Sequence, residues 1–224
     1  MSVSPPVPGP PPRHPPFSAR ATAIVRLALL GAAVVAGAAG YSVYAYYHSP
    51  YWNRVGLAPA QPVLFSHRHH AGELRIDCRF CHTTVEASAD AGMPSTQTCL
   101  TCHSQLFRDA PMLAPVQASA EENTPLLWSR VATLPDHVHF NHSAHVSHGI
   151  ACASCHGDVA DMALTAKAHP LTMRDCLACH RDPEPQRVTA DEVFARAPRS
   201  AGATTTTLVP VHARPLTNCS TCHH

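Results

Sequence analysis

Charged side chains make up only 14% of the 224 residues and aromatic ones 6%, both low for a soluble enzyme of this length. The net charge is +1 with neutral histidine. That excludes the strong basic field that draws a protein to nucleic acid, and no nucleic-acid partner is expected. No Walker loop, Rossmann glycine pattern or hydrolase elbow occurs, so the common nucleotide-binding and acyl-transfer sites are excluded as well. Residues 1–47 contain three arginines and no acid, whereas residues 48–224 carry the remaining charges with a balance of −2. The chain is therefore made of two unlike parts. Its abundances lie elsewhere, in 10 cysteines, 18 histidines and 22 prolines.

Eight prolines fall within residues 1–16, a composition that forms neither helix nor sheet and reads as an extended arm over residues 1–26. Leu27–Tyr47 follows, 21 residues without a charge. As a helix it spans roughly 30 Å, about the thickness of a bilayer core. A cleaved secretory signal is the competing reading. An uncleaved anchor is favoured by the length of the run and by the cluster of Tyr41, Tyr44, Tyr46, Tyr47, Tyr51 and Trp52 at its end, the side chains that settle at a membrane–water interface. Arg13, Arg20 and Arg26 precede the span, so the positive-inside rule predicts a cytoplasmic N-terminus and places residues 48–224 on the other side. Ala33 and Gly37, then Ala36 and Gly40, are each four apart, a spacing that lets another transmembrane helix approach closely.

All ten cysteines belong to five copies of C-x-x-C-H: Cys78–His82, Cys99–His103, Cys152–His156, Cys176–His180 and Cys219–His223. This is the attachment signature of c-type haem. The thiols, Cys78 and Cys81, Cys99 and Cys102, Cys152 and Cys155, Cys176 and Cys179, and Cys219 and Cys222, can each add to a haem vinyl group. The next residue, His82, His103, His156, His180 or His223, then sits under the iron as proximal ligand. A zinc ribbon matches the spacing of the first two copies, and a disulfide framework suits ten cysteines outside the cytoplasm. Neither explains a histidine after every second cysteine. Five covalently bound haems c are expected. They would supply the interior that this polypeptide, poor in large apolar residues, cannot build alone. The predicted fold is mostly α with long loops and few or no strands, a multihaem cytochrome c on one N-terminal transmembrane helix.

An internal repeat accompanies the motifs. Phe65-Ser66-His67-Arg68-His69-His70 precedes the first, and Phe140-Asn141-His142-Ser143-Ala144-His145, 75 residues later, precedes the third. Each unit, over 62–110 and 137–185, is thus F-x-H-x-x-H followed by two haem motifs, with a fifth motif alone in 210–224. On a helical turn, residues three apart share a face but differ in direction and height. Two such histidines can reach the irons of two neighbouring haems, so His67, His70, His142 and His145 are assigned as distal ligands. For the fifth distal ligand, Met162 and Met173 are candidates, with His169 and His212 next. No motif carries Lys in place of His, and the ligands are numerous enough to saturate every iron. Electron transfer is therefore favoured over substrate chemistry, and no catalytic residue is assigned.

The stretches FSHRHHAGELRIDCRFCHTTVEASADAGMPSTQTCLTCH, LPDHVHFNHSAHVSHGIACASCHGDVADM and LTMRDCLACHRDPEP resemble the pentahaem cytochrome c subunit of bacterial alternative complex III, over roughly 62–185. The F-x-H-x-x-H element also resembles that of small c3- and c7-type multihaem cytochromes, and implies similar haem packing. The first resemblance implies a subunit of a quinol-oxidising complex of the inner membrane, with its haem domain in the periplasm. Its implied partners are integral membrane subunits, an iron–sulfur subunit, and a monohaem cytochrome c or terminal oxidase as acceptor. The competing family is the membrane-anchored multihaem quinol dehydrogenase that feeds periplasmic reductases. The segment 198–215, with Thr204–Thr207, is the least similar part.

Overall fold

In the computed structural model of the chain, Gly9, residues 18–195 and residues 216–223 are described. Most of the proline-rich arm, with His14, and the low-complexity segment before the fifth motif, with His212, lie outside the described residues, as does His224. The chain divides into two units between Trp52 and Asn53.

The first unit is helix α1, Ala19–Tyr47, followed by the short turn α2, Pro50–Asn53. Helix α1 starts upstream of the apolar span at Leu27 because Ser18 caps it. The Ser18 side chain accepts the Ala21 N–H at 3.3 Å, and the alanine-rich residues that follow favour helix. The arm expected over 1–26 is accordingly shorter, since 19–26 are helical. Ala19–Asn53 is long and apolar enough to cross a membrane. At its far end Trp52 packs edge-on against Tyr47, ring centroids 4.6 Å apart, and against Tyr46 at 5.5 Å.

The second unit is a set of short helices joined by long loops. They are α3 (Cys78–Cys81), α4 (Thr96–His103), α5 (Ala114–Glu121), α6 (His142–Ser147), α7 (Cys152–His156) and α8 (Met173–Arg181), with a π-helical turn at Arg68–Glu73. Among the described residues there is no strand. Only two isolated bridges occur, Val55 with Lys167 and Ile150 with Arg187. The buried apolar clusters are small: Val63, Leu113 and Val116 in one, Ala151, Val188 and Val193 in the other. Hydrophobic burial on that scale cannot hold so many irregular residues in place.

Candidate metal centre

Four of the six short helices carry cysteines. Four of the five C-x-x-C pairs lie on single α-helical turns, in α3, α4, α7 and α8, and the fifth on a 3₁₀ turn at Cys219–Thr221. Residues three apart on one turn face the same way, so each pair of thiols points to one side. Local side-chain caps start three of these turns. Asp77 accepts the Arg79 N–H at 2.8 Å before α3, Thr172 and Asp175 form a capping box before α8, and Asn218 accepts the Ser220 N–H at 3.2 Å. None of the ten thiols is in a disulfide. Burial pushes most of them above the ordinary thiol range, Cys152 to about 11.

The F-x-H-x-x-H segments have nearly the same geometry in both units. Phe65 stacks on His70 with centroids 4.4 Å apart and meets His67 edge-on at 4.9 Å. Phe140 stacks on His145 at 4.4 Å and meets His142 edge-on at 4.8 Å. The phenylalanine thus holds two imidazoles at nearly right angles, and each faces a different motif.

His70 lies opposite His103 with ring centroids 6.2 Å apart, His142 opposite His156 at 6.3 Å, and His145 opposite His180 at 6.0 Å. Two imidazoles on opposite sides of one metal ion, each bonded at about 2 Å, place their centroids roughly 6 Å apart. The pKa of His67 is lowered to about 4, first by burial and then by the nearby His82 of the first motif.

A ligating imidazole needs its second nitrogen occupied, so that the tautomer and the aim of Nε2 are set. His82 Nδ1 bonds the Gly92 carbonyl at 2.7 Å, His103 that of Leu106 at 2.9 Å, His180 that of Leu216 at 2.9 Å, and His223 that of His137 at 3.2 Å. On the distal side His67 Nδ1 meets the Thr165 hydroxyl at 2.8 Å, and His70, His142 and His145 bond the carbonyls of Ser66, Ala89 and Asn141 at 2.8–2.9 Å. This feature alone does not mark a ligand, since His48 and His148 also bond a carbonyl four residues back. The marking feature is the bond combined with a second imidazole across a gap of about 6 Å.

One continuous cavity of about 1740 Å³ is lined by the cysteines of the first three motifs and by His67, His69, His70, His82, His103, His142, His145 and His156. A pocket for one small ligand measures roughly 300–1,000 Å³. The lining is largely apolar, and Trp128 presents to it a buried Nε1–H with no partner among the described residues, a donor suited to a carboxylate. No group of three or more His, Cys, Asp or Glu converges among the described residues, so the donors are arranged in pairs rather than as a zinc cage. Paired imidazoles, adjacent thiol pairs and a large apolar cavity fit haem c.

Of the methionines, Met173 at the start of α8 is 66% exposed. Met162 sits beside Gly157, just past the third motif. What the structure places against the fifth motif is the segment before Phe140: the His137 ring stacks on His223 at 5.6 Å, and the His139 N–H donates to the Cys222 carbonyl at 2.8 Å. Sequence reasoning missed Thr165, Trp128 and the carbonyl acceptors. A backbone oxygen carries no residue signature, and Thr165 lies 98 positions from the histidine it orients.

Fold and site together define a multihaem cytochrome c. The family described as outer membrane cytochrome MtrC/MtrF-like, domains II/IV, matches residues 75–224, and the chain belongs to it. It is also similar to the menaquinone reductase multiheme cytochrome c subunit of Nitratidesulfovibrio vulgaris, strain Hildenborough, at 34% identity over 112 residues, 45% of this chain and 53% of that protein. The chain thus spans about half the length of the curated relative it matches.

Proposed function

We propose that this chain is a membrane-anchored pentahaem cytochrome that relays electrons between a quinone-linked membrane complex and a redox partner outside the cytoplasm, as the pentahaem subunit of an alternative complex III. The observation that carries the electron-transfer reading is the set of paired imidazoles, each pair 6.0–6.3 Å apart and opposite a C-x-x-C-H motif. Such pairs would occupy both remaining ligand positions of an iron held between them and leave none for a substrate. When bound, haem c supplies reversible one-electron chemistry at a potential set by its axial ligands and surroundings. The chain's own contribution is attachment through Cys78, Cys81, Cys99, Cys102, Cys152, Cys155, Cys176, Cys179, Cys219 and Cys222. Proximal His82, His103, His156, His180 and His223 and distal His67, His70, His142 and His145 would supply the nitrogen ligands to iron, with Nδ1 of His67, His70, His82, His103, His142, His145, His180 and His223 hydrogen-bonded elsewhere. Helix α1 anchors the domain to the inner membrane with its N-terminus in the cytoplasm, and its Ala33/Gly37 and Ala36/Gly40 face suits an integral quinol-oxidising subunit. The remaining proposed partners are a periplasmic iron–sulfur subunit and a monohaem cytochrome c or terminal oxidase.

The similarity to a menaquinone reductase subunit favours a second reading, in which the same relay runs toward quinone. Purification of the native assembly in mild detergent separates them. A complex that reduces a cytochrome c with quinol supports alternative complex III, and one that reduces menaquinone from a reduced periplasmic cytochrome supports the reverse. A small homo-oligomer oxidising quinol without other subunits overturns both, and points to the quinol dehydrogenases that feed periplasmic reductases.

A further inference from the structure

The five motifs need not lie in space in the order in which they occur in the chain. We infer, resting on the haem reading above, that they form a relay in the order second, first, third, fourth, fifth, so that Cys99–His103 and Cys219–His223 are the two ports where electrons enter and leave.

Two links follow from the repeated F-x-H-x-x-H turn. His67 and His70 share one turn; His70 faces His103 of the second motif, and its carbonyl accepts at 3.0 Å the N–H of Ile76, two residues ahead of Cys78 of the first. His142 and His145 share another and face His156 and His180. The first and second motifs are therefore neighbours, as are the third and fourth.

Which member of each pair faces the other repeat is decided by the partners of Nδ1. His67 is oriented by Thr165 of the second repeat (137–185) at 2.8 Å, and His142 by Ala89 of the first (62–110) at 2.8 Å. The exchange is reciprocal. His70 and His145 bond carbonyls of their own turns instead, Ser66 and Asn141. The backbone repeats the pattern: Arg68 donates to Met162 at 3.0 Å, and Ser143 to Ser88 at 3.1 Å. Val193 and Phe194 bridge the same two motifs, since the Val193 carbonyl accepts the Cys152 N–H at 3.2 Å and the Phe194 carbonyl lies 4.0 Å from Cys78 Sγ. The first and third motifs are the inner pair.

The outer members differ. His180 of the fourth motif takes its acceptor from Leu216, just ahead of the fifth motif, whereas His103 of the second takes Leu106 from its own loop. The relay therefore continues from the fourth motif to the fifth and ends at the second. Cys102 and Cys219 are exposed at these ends, and Phe107 beside the second motif is 71% exposed.

The test is spectroelectrochemical titration of the detergent-solubilised full-length holoprotein and of two variants, His67→Met and His70→Met. A thioether ligand raises the potential of the haem it binds, and a haem that changes its reduction step shifts the steps of its neighbours by Coulombic coupling. The expected result is that His70→Met moves one further step and His67→Met moves two. The reverse counts, which the order of motifs in the chain demands, would overturn the proposal. Should either variant fail to fold, anomalous-scattering positions of the irons in the wild-type holoprotein decide, with the Cys78–His82 iron lying between those of Cys99–His103 and Cys152–His156. Five covalent haems with another order of irons defeats this inference alone. Fewer than five defeats the haem reading beneath it.

Discussion

An imidazole becomes a useful axial ligand only when its other nitrogen is committed elsewhere, and the acceptors chosen here are mostly main-chain carbonyls, which cannot titrate. Each histidine so bonded has its Nδ1 committed, which leaves Nε2 as the atom available to a metal. His67 makes the point most clearly, because burial lowers its pKa to about 4 while the Thr165 hydroxyl occupies Nδ1. Replacing any one of His67, His70, His142 and His145 by alanine should open a single coordination position. The optical and EPR spectra should then show one high-spin haem that binds carbon monoxide, with the others low-spin. His69 is the matched control. It lies between His67 and His70 in the chain, but is exposed and paired with Glu73 at 2.9 Å, and His69→Ala should leave the spectrum unchanged. Low-spin spectra in all four ligand variants would remove the assignment.

At the scale of the element, a six-residue cassette is used twice and folds twice to the same ring geometry, although the turn is π-helical after His67 and α-helical from His142. The Phe–His contacts agree within 0.1 Å between copies, so the cassette and not the helix type sets the histidine directions. Around the first copy the two sequence repeats approach at Gly72, where an added Cβ would run into the Ala160 carbonyl. Backbone cannot yield as the tip of a flexible side chain can, and overpacking of this kind costs about 1–3 kcal/mol. Gly72→Ala should therefore lower the thermal midpoint of the holoprotein, by about 2–4 °C for each kcal/mol at this chain length. Gly31→Ala, where a Cβ meets nothing within 4 Å, should not move it. Gly92 serves a different need. At φ +81° it turns the chain so that its carbonyl receives His82, a backbone region that glycine enters without steric cost.

For the whole molecule, the contrast is between a long apolar helix and a domain whose own buried clusters hold three residues each. A shell so thin depends on what it encloses. Pyridine haemochrome analysis with intact mass should give five covalent haems per chain, and haem extractable with acid acetone would contradict thioether attachment. A reporter fused after residue 60 should be active outside the cytoplasm, and N-terminal peptide mapping should recover the proline-rich arm. A mature chain starting near Gly40 would mean a cleaved signal instead.

The class of protein, a multihaem cytochrome c, was legible in the sequence. The five C-x-x-C-H motifs, the F-x-H-x-x-H repeat and the uncharged run Leu27–Tyr47 are local patterns, and local spacing determines what a turn of helix can present. The mostly helical architecture, without strands among the described residues, followed from the same patterns, because a chain that wraps porphyrin needs single turns rather than sheets. The start of α1 at Ala19 was missed, since hydropathy marks the membrane span and not the Ser18 cap that begins the helix. Only the tertiary structure decided which histidine faces which motif and which motifs are neighbours. Those depend on contacts such as His67 with Thr165 and His142 with Ala89, 98 and 53 positions apart. Such pairings are made by loops whose acceptors are backbone oxygens. Every residue but its conformation carries the same carbonyl, so no sequence pattern records which one a distant imidazole will meet.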